Sequence, residues 1–142
     1  MRFWDSSALL PLIVEEDRSR ACRDLARADP LQVVWTLALV EVWGACCRKR
    51  REGLLSADQH RRARARLNRL AGNWYEVEDV PAVKTEADRL LDRYDLRAAD
   101  ALQLGAALVA CAGKPMGHSF VALDAKLLDT ARREGLGPIE PR

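Results

Sequence analysis

Met1-Arg2-Phe3-Trp4-Asp5-Ser6-Ser7-Ala8-Leu9-Leu10 opens the chain and decides how the rest of it is read. Met1, Phe3 and Trp4 are apolar or bulky and suit a short buried strand. Asp5 follows, then two small hydroxyl residues and an apolar run from Ala8 to Val14. An acid at the end of a strand that passes straight into a helix stands at the carboxyl edge of a parallel sheet. Open α/β sheets gather their ligands at that edge. Acids further along the chain that reach the same edge would stand beside Asp5.

Working outward, Ser6 or Ser7 can cap a helix running to about Glu16, and a second short helix spans roughly Arg18 to Ala28 before Asp29-Pro30 breaks it. Leu31 to Trp35 reads as a strand closing at Thr36. Leu37 to Cys47 is almost wholly apolar at helical length, with Glu41 its single charge, and the helix continues through Arg48–Glu52 to stop at Gly53. Ser56-Ala57-Asp58-Gln59 is a capping-box pattern, and Ala63, Leu67 and Leu70 form the apolar stripe of the helix it opens. Trp74 to Val77 suits a short strand. Pro81 starts a helix with Val83, Ala87, Leu90, Leu91 and Tyr94 on one face, and Asp95-Leu96-Arg97 turns the chain into the helix that holds Asp100. Ser119 to Leu123 is a buried strand ending in Asp124, Ala125 to Glu134 a helix stopped by Gly135, and Ile139 a last edge strand. Strands separated by helices predict an α/β fold of three layers, α/β/α, with a mostly parallel central sheet.

Composition agrees with a globular chain. The 142 residues fit one domain, 1–142, large enough to bury a core without staples; 49% are hydrophobic and 31% charged. The weakly charged run Ala98–Gly113 is shorter than the roughly 18 apolar residues a membrane span needs. No basic leader with an apolar centre precedes the first strand, so the expected location is the cytoplasm and no membrane partner is expected. Cys22, Cys46, Cys47 and Cys111 show no C-x-x-C pair and no histidines at metal-ligand spacing, and read as small buried hydrophobes.

Glu41 and Asp100 are the most informative residues, since each is the lone acid in a helix otherwise built for burial. An ionised carboxylate stranded there costs several kcal/mol, roughly the scale of a buried ion after relaxation. Each either pairs with an arginine, such as Arg97 for Asp100, or serves chemistry. Asp5 and Asp124 both follow a strand and precede a helix, so each taken singly reads as an N-cap. Taken together, the four acids repel one another wherever they converge, unless protons or cations neutralise them. Carboxylate oxygens are hard ligands suited to Mg²⁺ or Mn²⁺. Such an ion would activate water and stabilise a phosphoryl transition state, and a second would clamp the leaving oxygen.

Four elements, Phe3-Trp4-Asp5-Ser6-Ser7-Ala8-Leu9-Leu10, the helix Thr36–Ala45 around Glu41, Leu96-Arg97-Ala98-Ala99-Asp100-Ala101-Leu102, and Phe120-Val121-Ala122-Leu123-Asp124 with its following helix, span nearly the whole chain. In their order the chain resembles the PIN-domain ribonucleases, and within them the VapC-type toxins of type II toxin–antitoxin pairs. The resemblance implies a metal site of Asp5, Glu41, Asp100 and Asp124 with Ser7 supporting its shell. It implies Mg²⁺- or Mn²⁺-dependent cleavage of RNA, often tRNA or rRNA; attack on phosphorus by a hydroxide on that ion would leave a 5′-phosphate and a 3′-hydroxyl. A homodimer and a VapB-like antitoxin whose tail covers the site would follow. Ala122 stands where many relatives carry Ser or Thr, and Lys126 where some carry a further acid. Both departures bear on Asp124, whose contact is left open as direct or through water.

Nine basic residues lie between Arg48 and Arg69 against two acids. Of these, Arg48, Lys49, Arg50, Arg51, Arg61 and Arg62 are candidates for an RNA backbone track, the alternatives being a solvated helical face or the docking site of an acidic protein. His60 and His118 have no companion at informative spacing, which argues against metal-free acid–base cleavage. Trp4, Trp35, Trp43 and Trp74 read as core. No phosphate-cradling glycine run is present. Two competing functions remain: a catalytically weak PIN-like module that only binds RNA or protein, and a phosphatase-like hydrolase. Ala122 favours the first. The second wants an Asp where Ser7 stands.

Overall fold

The computed structural model describes residues 1–142. Five short strands, β1 (Arg2–Trp4), β2 (Val33–Trp35), β3 (Tyr75–Val77), β4 (Ser119–Val121) and β5 (Gly137–Ile139), form one sheet in the order β3-β2-β1-β4-β5. Every pairing is parallel. The chain winds outward from β1 to β2 and β3, then returns across the sheet to lay β4 on the other side of β1. The strand order therefore reverses between β1 and β4, and the carboxyl ends of these two strands flank the crevice that such a reversal opens.

Alternation along the strands divides the core in two. Phe3, Val33, Trp35 and Phe120 point to one face and pack with α5 (Val80–Arg93), α6 (Ala98–Ala110) and α7 (Ala125–Arg133). Phe3 and Phe120 stack with ring centroids 5.6 Å apart. Trp4, Val34 and Val121 point to the opposite face, against α1 (Ser6–Leu9), α3 (Ala38–Arg51) and α4 (Ala57–Ala71), with α2 (Ser19–Arg27) at its margin. This is the three-layer α/β/α arrangement that the sequence predicts, with a sheet that is parallel throughout.

α6 is buried on nearly every side because it lies between the sheet and α5. Gly105 makes the close approach possible: a Cβ there would stand 3.1 Å from the Val83 carbonyl and 3.2 Å from the Ala87 nitrogen. α4 opens with the expected capping box, Ser56 Oγ accepting from the Gln59 amide at 3.1 Å and Gln59 Oε1 from the Ser56 amide at 2.8 Å. Gly135, at φ +91°, ends α7 in the left-handed region that glycine enters without strain. No helix is long and apolar enough to cross a membrane.

Several expectations are corrected. The first helix ends at Leu9 instead of Glu16, and Leu10–Leu12 is a 3₁₀ turn. Pro11 is the cause, since it has no N–H to continue the α ladder and its ring collides with the preceding turn. Asp5, not Ser6 or Ser7, caps this helix. Leu91 is 40% exposed, off the buried stripe of α5. Trp4 and Trp35 are core residues, but Trp43 and Trp74 are only half-buried.

Candidate active site

β1 delivers Asp5 to the carboxyl edge of the sheet. The Asp5 amide still donates to the Val121 carbonyl at 2.9 Å, so its backbone remains locked to β4 after the strand has ended. Its carboxylate is turned back onto α1, where Oδ2 accepts from the Ser7 amide at 3.0 Å and from the Ser7 hydroxyl. Ser7 Oγ in turn accepts from the Leu123 amide at 3.0 Å. Asp5 is buried, and Ser7 ties it to the segment leaving β4.

Glu41 lies in the first turn of α3 and Asp100 in the first turn of α6. Helix N-termini favour negative charge, which is a local reason for acids at these positions. Glu41 Oε2 accepts from Gln103 Nε2 at 3.1 Å and from Ser6 Oγ at 3.4 Å, and Gln103 Nε2 also donates to Ser6 Oγ at 2.6 Å. Asp100 Oδ2 faces Arg97 Nε at 3.3 Å in an ion pair whose arginine is largely exposed.

Asp5, Glu41 and Asp100 line one cleft of about 460 Å³, together with Ser6, Ser7, Arg48 and Arg97. Burial pushes Asp5 above the ordinary carboxylate range; the Ser7 hydrogen bonds oppose this and the Asp100 charge adds to it. Burial likewise raises Glu41, against the Gln103 hydrogen bond and with the charges of Asp5 and Asp100. The three acids thus feel one another electrostatically. Each commits one oxygen to the protein hydrogen bonds just described. Asp5 Oδ1, Glu41 Oε1 and Asp100 Oδ1 accept none.

Asp124 stands at the same edge of the sheet but does not line the cleft. It is exposed and caps α7, its Oδ1 accepting from the Leu127 amide at 2.7 Å. Ala122, two residues earlier, is fully buried.

Of the six basic candidates only Arg48 reaches the cleft. Lys49 pairs with Glu16 at 2.6 Å, Arg61 and Arg62 both pair with Asp58, and Arg50 donates to the Leu55 carbonyl. Arg51 lies exposed at the end of α3. His60, without a companion in sequence spacing, is brought by the α3–α4 hairpin to 3.5 Å from Cys47 Sγ and stacks on Trp43, over which Arg64 also lies. That group sits outside the cleft lining.

Ser6 is expected only as a cap and Arg97 only as a partner of Asp100, and Gln103 has no expected role. The signal for Gln103 was present: a lone amide on a buried helix, one turn from Asp100, is as anomalous as the acids themselves.

The donor set fits a hard divalent cation by its chemistry, since three carboxylates share one cleft with an oxygen each to spare. As the side chains stand, no three His, Cys, Asp or Glu groups lie close enough together to hold an ion. Sharing one would require the carboxylates to draw inward. Fold and cleft together define an α/β protein with an acidic cleft beside the carboxyl end of the central strand of a parallel sheet. No family model matches the chain, and no curated protein matches it.

Proposed function

We propose that this chain is a divalent-metal-dependent endoribonuclease of PIN type, the toxin of a toxin–antitoxin pair that acts on tRNA or rRNA in the cytoplasm. The observation that carries the reading is the convergence of Asp5, Glu41 and Asp100 in one cleft beside β1, with Arg48 and Arg97 in its lining. Asp5 and Asp100 would hold the principal Mg²⁺ or Mn²⁺ and Glu41 would complete the site. Bound there, the ion supplies Lewis-acid activation of water and neutralises charge that develops on phosphorus. Asp124 supports the site from outside the cleft, through the cap of α7.

The protein groups have separate tasks. Arg48 and Arg97 bind phosphate oxygens, and the exposed Arg97–Asp100 pair lets the guanidinium exchange one anion for another. Ser7 fixes the Asp5 carboxylate against the strand edge by holding Oδ2, so that Oδ1 would be the oxygen offered to an ion. In-line attack of water on phosphorus breaks the bond to the 3′-oxygen and leaves a 5′-phosphate and a 3′-hydroxyl. Leu37 and Val40, exposed at the start of α3 beside Glu41, offer apolar surface for a VapB-like antitoxin or a second copy to cover.

A second reading is a catalytically weak module that binds RNA or protein. The exposed, capping Asp124 and the buried Ala122 favour it. The deciding experiment incubates total tRNA and rRNA with the protein and Mg²⁺ or Mn²⁺, beside EDTA and the Asp5→Asn and Asp100→Asn variants. Fragments with 5′-phosphate ends that vanish in all three controls support the nuclease. Intact RNA that is nevertheless bound supports the module, and cleavage that survives EDTA removes the acidic site from the account.

A further inference from the structure

Gln103 projects from α6 into the interior and is 1% exposed. Its neighbours on the helix, Ala101, Leu104, Ala106, Ala107 and Leu108, are apolar and buried, so packing alone would be served by Leu or Met. Its Oε1 is buried with no hydrogen-bond partner, a cost that an apolar residue would avoid. The Nε2 group is used twice, donating to Ser6 Oγ and to Glu41 Oε2. Ser6 follows Asp5, and Asp100 lies three residues before Gln103 on the same helix. One amide therefore joins the three elements that carry the three acids of the cleft.

We propose that Gln103 is the positioning residue of the acidic site, holding Glu41 through Oε2 and Ser6 through Oγ so that Glu41 presents Oε1 to a shared cation. This rests on the metal-site reading above. The amide acts through Glu41 and touches no reacting atom. Its orientation is settled by chemistry, because only the NH₂ end can serve a carboxylate. Partners that orient a ligating carboxylate typically change metal affinity by about 10–100-fold when removed.

The test is Mn²⁺ binding by calorimetry on the full chain, without RNA, in a double-mutant cycle of Gln103→Met and Glu41→Gln. Met keeps the volume and removes the donor. Gln103→Met is expected to weaken Mn²⁺ binding about tenfold or more in the native background and to change it less than twofold in the Glu41→Gln background. A purely structural role would lower affinity equally in both. Should Gln103→Met fail to fold by circular dichroism, Ser6→Ala takes its place in the same cycle. Native affinity in Gln103→Met, or equal losses in both backgrounds, overturns the positioning role while leaving the metal site intact. Absence of Mn²⁺ binding by the unmodified chain overturns both.

Discussion

The Leu123 amide donates to Ser7 Oγ at 3.0 Å while the same hydroxyl donates to the Asp5 carboxylate. A residue from the first helix thereby ties the end of β1 to the segment leaving β4 and holds the Asp5 carboxylate. Ser7→Ala removes both bonds, so the Leu123 amide loses its partner and Asp5 Oδ2 keeps only the backbone amide of residue 7. The expected loss is about 1–3 kcal/mol, the range for stranding a buried polar group. Urea unfolding would measure it, and an unchanged midpoint would mean that water replaces the hydroxyl.

Asp5 and Glu41 are both raised from ordinary values of 3.8 and 4.5, chiefly by burial. Between those values and the raised ones the folded state binds more protons than the unfolded state, so stability falls as pH rises through that window. Above the window the deficit is constant. Asp5→Asn keeps a side chain able to cap α1 and removes the charge. In EDTA the variant should therefore melt above the native protein at pH 7–8, with the gap closing toward pH 4. Each kcal/mol is worth about 2–4 °C in a chain of this size. A variant that loses ground as pH rises would show that Asp5 is stabilised as the anion.

If the cleft takes Mn²⁺, saturating ion stabilises the folded chain, by about 2.7 kcal/mol at a concentration one hundred times the dissociation constant. Thermal melts with and without Mn²⁺ should show this shift in the native chain and lose it in Asp5→Asn and Asp100→Asn. Asp124→Asn should keep it, because Asn serves as well as Asp at a cap. Loss of the shift in Asp124→Asn would place that acid on the ion.

Gly105→Ala should destabilise the fold by about 1–3 kcal/mol, the usual cost of overpacking, despite alanine's better helix propensity. The added methyl meets the α5 backbone at Val83 and Ala87, which cannot rotate away as a side chain would. Chemical denaturation measures it, and a gain in stability would show that α5 and α6 separate freely.

The fold was legible because its signals are local. Hydrophobic runs gave the strand and helix order, Ser56–Gln59 gave a cap, and Asp5 followed a strand directly. The early end of the first helix is local too, since Pro11 lies inside the expected span. Glu41 and Asp100 were visible as charges in helices otherwise built for burial.

Amino-acid order by itself determined the alternation of strands and helices, the two-faced strands, and the identity of the acids available to one edge of the sheet. Only the tertiary structure decided which of them share a cleft. It left Asp124 outside the cleft, paired Lys49 with Glu16, and brought Gln103 across to Ser6 and Glu41. Backbone patterning follows from neighbours in the chain. Hydrogen bonds between residues 62 and 97 positions apart depend on how three elements pack, and no local pattern encodes that.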